Sequence, residues 1–414
     1  MVHTKSKPGS IAFRWLLTGQ AISAVGSQVT FMALPLIAVT LLHADPMMMG
    51  ILAALDNLPY LLFGLFVGSL VDRHRRRPLM IGADLLRTIA VATIPVVFLL
   101  GNLSIGQLCV VAFVVGIGNL VFDVACQAQL PELVEGGDLV QANGALQTTT
   151  GVASLMGPGL VGVFIKTVGA PIAMLVDAIS YLLSALCIRR TDAVTKPERV
   201  EHVDTDATVW SDVRVGVGTV VRDPNLLGLV GAGAAVSLGM NAGFPVMFVL
   251  FDRSMGLDAI AIGLVFLTIA LCGATGALTA NWVAKAIGAG RLLSVGPVVG
   301  GAGLAVMACG HWFTPPILFV YVGAALTGWG VMASQALAAG MRQALAPERI
   351  RGRVLGAMRF VEWGVMPLGS LVGGLLGAWI GVAPALGVAG LLVATGCIWV
   401  IANKLSRMRE VPAA

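Results

Sequence analysis

Five carboxylates stand inside long apolar runs: Asp56, Asp84, Asp123, Asp177 and Glu362. An ionisable side chain at membrane depth is costly and marks a candidate functional site. Asp56, within Leu55-Asp56-Asn57-Leu58-Pro59, has no cation within a helical turn, and Glu362 has Arg359 three residues before it. A carboxylate without a fixed counter-charge is equipped to take up and release a proton, which makes Asp56, Glu362 and Asp177 the candidates for proton coupling. For Asp56 the alternative is an acid hydrogen-bonded near the outer mouth. For Asp177 it is a packing role, and for Glu362 a static bridge to Arg359. Asp84 and Arg87 lie one turn apart and read as a structural pair. A second concentration of charge is Gly68-Ser69-Leu70-Val71-Asp72-Arg73-His74-Arg75-Arg76-Arg77-Pro78, with one acid and four arginines between two apolar runs.

The elements that position these groups follow from composition. The chain has 414 residues, 57% hydrophobic and 11% charged. A soluble domain carries about 25% charged residues. A spanning helix needs about 20 apolar residues. Twelve such runs can be drawn, near 13–42, 47–71, 78–100, 104–130, 139–166, 170–189, 224–251, 257–284, 291–311, 315–341, 352–380 and 384–404. They are too long, and alternate too little, for barrel strands. The expected fold is an all-α membrane protein of twelve transmembrane helices in two pseudo-symmetric six-helix bundles. Residues 1–189 form the first bundle, 190–223 a cytoplasmic linker and 224–414 the second bundle. Within the linker, Trp210 to Arg222 reads either as a short amphipathic helix or as plain connection.

Charge orients the chain. With both termini in the cytoplasm, only Lys166 and Arg253 of the 26 Lys and Arg fall outside that face. Short loops rich in Lys and Arg stay inside, so the net charge of +5 is a topology signal and not a nucleic-acid footprint. The first apolar run exceeds a signal-peptide core and lacks an A-x-A site, so it reads as a retained span. The six cysteines lie in apolar runs without C-x-x-C or adjacent histidine, which points to buried hydrophobes and not to metal ligands. No metal or cofactor is expected. No G-x-x-x-x-G-K-[ST] occurs, so no nucleotide chemistry and no enzyme activity are expected; energy must come from an ion gradient.

The halves echo each other. Leu130-Pro131-Glu132 precedes span five and Ala346-Pro347-Glu348 precedes span eleven, while Gly157-Pro158-Gly159-Leu160-Val161-Gly162 parallels Met366-Pro367-Leu368-Gly369-Ser370. The loop from Gly68 resembles the inner-loop signature of the major facilitator superfamily, matched by Gly68, Leu70, Asp72, Arg73, Arg76 and Arg77, with Arg75 in place of the usual second glycine. The resemblance implies that Asp72 and Arg76 form half of an inner gate completed by Asp123 on span four. Gly144, Gly157, Pro158 and Gly162 resemble the antiporter signature of span five, with Ala153 and Val161 replacing two of its glycines. Asp84-Leu85-Leu86-Arg87, Ala142-Asn143, Leu175-Val176-Asp177-Ala178-Ile179-Ser180 and Arg351-Gly352-Arg353-Val354 narrow the likeness to the macrolide-efflux and enterobactin-exporter-like group.

In that superfamily spans one, four, seven and ten line the cavity. This assigns Gln20 and Ser27, Asn119, Asn241 and Phe244, and Trp329 and Gln335 to substrate, with interhelical hydrogen bonding as the alternative for each polar residue. The expectation is a multi-pass, monomeric transporter of the cell's inner (plasma) membrane, exchanging protons for an amphipathic small molecule, with no nucleic-acid partner. An exporter of an endogenous metabolite such as a siderophore, and a non-transporting receptor or lipid-handling protein, stay open as alternatives.

Overall fold

In lipid a chain must satisfy its own backbone N–H and C=O groups, which leaves helices for runs that do not alternate. The computed structural model holds helices and no strands among its described residues, which are 11–134, 139–191, 209–313 and 315–408. The first spans are α1 (Ile11–Leu36), α2 (Pro46–Arg73), α3 (Arg76–Leu99), α4 (Ile105–Leu133), α5 (Leu139–Val168) and α6 (Ala170–Arg189). A short helix, α7 (Val209–Arg222), precedes α8 (Pro224–Val249), α9 (Ala259–Ile287), α10 (Ala289–Cys309), α11 (Ile317–Leu345) and α12 (Arg351–Ile380). The last span breaks at Thr395 into α13 (Val382–Ala394) and α14 (Gly396–Ala402). Among the described residues 12 helical stretches are long and apolar enough to cross a membrane, within a few residues of the limits read from sequence at most ends. Helix α7 realises the amphipathic option for 210–222. Lys5, Lys7, Lys196, Glu198, Arg199, Asp204, Asp206 and Arg409 lie outside the described residues.

The two halves repeat in length and in pairing. Helices α1 and α8 have 26 residues each and run on into five-residue π-turns, Ile37–Leu41 and Leu250–Ser254. Helices α5 and α12 have 30 residues each, with Pro158 and Pro367 inside. Helix α1 packs on α5 and α6 as α8 packs on α12 and α13, and α3 packs on α4 and α6 as α10 packs on α11 and α13. The fold is therefore a duplicated six-helix unit.

By packing, the described residues divide into two units, one drawn from Met1–Leu42 and Leu62–Thr205, the other from His43–Leu61 and Asp206–Ala414. The N-terminal half of α2 thus packs within the second unit. There Tyr60 meets Trp363 of α12 edge-on at 5.4 Å, and a Cβ on Gly50 would stand 2.8 Å from the Gly374 Cα. Lipid tails are as apolar as leucine, so helices gain little by hiding hydrophobic surface from lipid, and close backbone approach takes over. Gly373 illustrates it: a Cβ there would collide with the backbone of Ala242 on α8. Gly387 faces open space and gives a control. Gly373→Val is expected to lower the thermal midpoint in detergent, with overpacking costing about 1–3 kcal/mol or more. Gly387→Val should leave the midpoint near wild type. Equal midpoints for the two variants would contradict the packing account.

Candidate functional site: buried charges in two helical units

The first unit is organised on Arg87, which α3 projects into the protein with 4% of its surface exposed. Its guanidinium pairs with Asp84, one turn earlier and fully buried, and Nη1 donates to Asn119 Oδ1 on α4 at 2.8 Å. The cation lies over two rings, 4.6 Å from the Phe122 centroid and 4.3 Å from that of Tyr181 on α6. Cation–π contact strengthens where water is excluded. The Tyr181 hydroxyl in turn hydrogen-bonds Ser27 of α1 at 2.9 Å. Four residues before Tyr181, fully buried Asp177 accepts hydrogen bonds from Thr30 of α1 and from Ser180. Asn119 and Ser27, read from sequence as cavity residues, are thereby committed to this network. The side chain of Gln20 is half-buried, with Oε1 unpartnered among the described residues.

The loop after α2 is short. Helix α2 ends at Arg73 and α3 begins at Arg76, with Arg75 at φ −66° and ψ 124°. That conformation is open to any residue, so a side chain in place of glycine costs nothing there. Arg76 forms an ion pair with Glu132 in the last turn of α4. Arg77 donates to the carbonyls of Ile188 and Arg189, capping the C-terminus of α6 where cations are favoured. Asp72 and Arg73 are exposed, Gly68 faces open space, and Asp123 is exposed on α4, two turns before Glu132. Glu132, Tyr181 and Thr30 were not singled out as site residues from sequence. The signal for Tyr181 was its position four residues after Asp177.

In the second unit Glu362 pairs with Arg342 of α11 and not with Arg359 of its own helix. Nη1 donates to Oε2 at 2.9 Å, and Nη2 lies 2.7 Å from Oε1 as a close charge contact. Gly233 of α8 leaves the space that the carboxylate fills. Asp56 is exposed and takes no hydrogen bond and no ion pair. Phe244 packs with Phe248 and Phe266 at 5.3 and 6.1 Å, Asn241 donates to Ser237 O of its own helix, and Gln335 is half-buried. Trp329 packs on a buried apolar cluster of the same unit. Of the antiporter-like positions, Gly157 lies against the Gln28 side chain of α1 and Pro158 and Gly162 are buried, but Gly144 faces open space. All six cysteines are free; Cys126 and Cys187 are buried, whereas Cys309 is exposed. The described residues hold no cluster that could bind a metal.

A duplicated set of six spanning helices with charges buried among them defines a multi-pass membrane transporter. Residues 16–257 match the Major Facilitator Superfamily, and the chain belongs to that family. The multidrug efflux pump Tap of Mycolicibacterium fortuitum is 27% identical over 430 residues, covering 100% of this chain and 99% of that protein. The macrolide efflux protein A of Streptococcus pyogenes is 24% identical over 240 residues, 57% of this chain and 58% of that one. A bacterial homologue of the iron transporter ferroportin, in an inward-facing state, shares the fold at a TM-score of 0.74 with 16% identity, over 94% of this chain and 98% of that chain.

Removing Arg87 alone strands a buried carboxylate, which costs about 3–5 kcal/mol, whereas removing both partners is far less damaging. Arg87→Met is therefore expected to depress the thermal midpoint more than Arg87→Met combined with Asp84→Leu. A double variant no better than the single would contradict the pairing.

Proposed function

We propose that the chain exports amphipathic small molecules in exchange for protons, by alternating access through two six-span halves. The observation that carries this reading is the unpaired Asp56. Asp84 is held by Arg87, Asp177 by Thr30 and Ser180, and Glu362 by Arg342. An acid that already neutralises a buried cation gives up that role only at high cost. Asp56 has no such role, so it can take up and release a proton without breaking a structural pair. In this reading Asp177 and Glu362 fix helices and Asp56 couples transport.

The cargo class rests on two supports. The half-buried Phe244, backed by the buried rings of Phe248 and Phe266, and the half-buried amides Asn241 and Gln335 of the same unit bring few polar groups and no charge, which suits an amphipathic ligand. The full-length likeness to a multidrug efflux pump points the same way. Asp72, Arg76 and Asp123 form the inner gate, with Arg76 exchanging its Glu132 partner during the cycle. Both termini lie in the cytoplasm of a plasma-membrane protein, as the positive-inside bias directs, and the monomer is the working unit.

The test is ethidium transport in everted vesicles. With wild-type protein a pH gradient should drive ethidium accumulation. Asp56→Asn should reduce this at least about tenfold, a change of 1.4 kcal/mol in the driven step, while ethidium counterflow without a gradient persists. Full gradient-driven accumulation by Asp56→Asn would remove Asp56 from the coupling role.

A further inference from the structure

One face of α5 changes character along its length. At 3.6 residues per turn, Asn143, Gln147, Ser154, Pro158, Val161 and Ile165 share it. In the second half of the helix Pro158, Val161 and Ile165 are buried, so this face points into the protein. In the first half Asn143, Gln147 and Ser154 are exposed on it, and a Cβ on Gly151 beside them would meet nothing within 4 Å. The lipid side is a different one, where Val152, Met156, Leu160 and Val163 are exposed together and all apolar. The inward face of α5 is therefore closed over one half and open over the other.

The open half is polar at a depth that lipid does not explain. Helix α5 has 30 residues, which puts Ser154 at its midpoint, roughly 15 Å from either edge of a hydrocarbon core about 30 Å thick. A serine is too short to snorkel to the headgroups from there. Thr148, Thr149 and Thr150 each donate to a carbonyl of their own helix, at 2.8, 2.8 and 3.2 Å, and Asn143 donates to Leu139 O at 3.0 Å. The side chains of Gln147 and Ser154 are spent on no such bond among the described residues. An unpaired amide or hydroxyl is costly in an apolar medium, so these two groups meet water or a ligand.

We propose that this half-face of α5 lines the path by which the exported molecule enters the protein, with Gln147 and Ser154 as its specificity-determining side chains. The inference takes its cargo from the export reading above. It takes its orientation from the positive-inside bias, which puts the start of α5 at the cytoplasmic surface. Both groups are neutral, and each can donate and accept. They stand seven residues apart, roughly 10 Å along the axis, a distance that one drug-sized molecule bridges. Gly151 between them leaves room for its bulk.

Gln147→Cys and Ser154→Cys in everted vesicles, labelled with a membrane-impermeant methanethiosulfonate over the background of the native cysteines, test this. Val152→Cys and Met156→Cys are controls of matching depth on the lipid side. Both test positions should label at least about tenfold faster than the controls, about 1.4 kcal/mol in the barrier, and ethidium should slow that labelling. A wild-type thermal midpoint certifies the fold of each variant; should one fail to fold, the other decides. Labelling no faster than the controls overturns the proposal whatever transport does, because the reaction reads water access alone. Fast labelling that ethidium leaves unchanged, in vesicles whose wild-type protein accumulates ethidium, overturns the substrate contact and leaves the export reading intact. The same result where wild type accumulates no ethidium overturns the export reading, and the cargo with it.

Discussion

A guanidinium inside a membrane protein cannot give up its charge and must be met by partners of fixed geometry. In the first unit that requirement is set by Arg87, and its own helix and two neighbours answer it. Asp84 comes from its own helix, Asn119 and Phe122 from α4, and Tyr181 from α6. Tyr181 and Asp177 extend the bonding to Ser27 and Thr30 on α1. One cation thus fixes the mutual register of four spans. Space is made for it as well, since Gly118 lies against the aliphatic stem of Arg87 and Gly26 against Ser180 and Asp177.

The second unit keeps the same helix pairings with a different adhesive. Its ion pair joins α11 and α12, a buried apolar cluster fills the interior, and glycines bring backbones together, such as Gly373 on Ala242 and Gly301 on Gly390. A duplicated architecture can therefore be conserved in outline while polar networks and steric fit trade places as the source of cohesion. This division also leaves Asp56 without a structural duty, because no guanidinium of the second unit calls on it.

Much of this was legible in residue order. The twelve spans follow from apolar length and the Asp84–Arg87 pair from spacing within one helix, while α7 was one of two readings that the sequence left open. What was not legible is contact between helices. Glu362 has Arg359 at the spacing of a turn, yet binds Arg342, twenty residues away on another helix. An apolar helix in lipid is hydrophobic all round, so sequence does not say which side meets protein. This is why Cys309 proves exposed while Cys126 is buried. The departure at Arg75 resolves for a local reason: the only non-glycine residues described with positive φ are His43 and Lys404, so position 75 never required glycine.

The two ion pairs also differ in when they can form. A lone arginine at the centre of a span costs about 2.5–3.5 kcal/mol on insertion. Arg87 enters the bilayer with its counter-charge three residues away, so α3 is neutralised before any neighbour arrives. Arg342 lies in the last turn of α11, and its partner is carried by α12, which leaves the ribosome later. Until α12 inserts, that end of α11 stays with the headgroups. The order of synthesis therefore becomes an order of membrane entry, with the first unit able to close on itself early and the second waiting for its penultimate span.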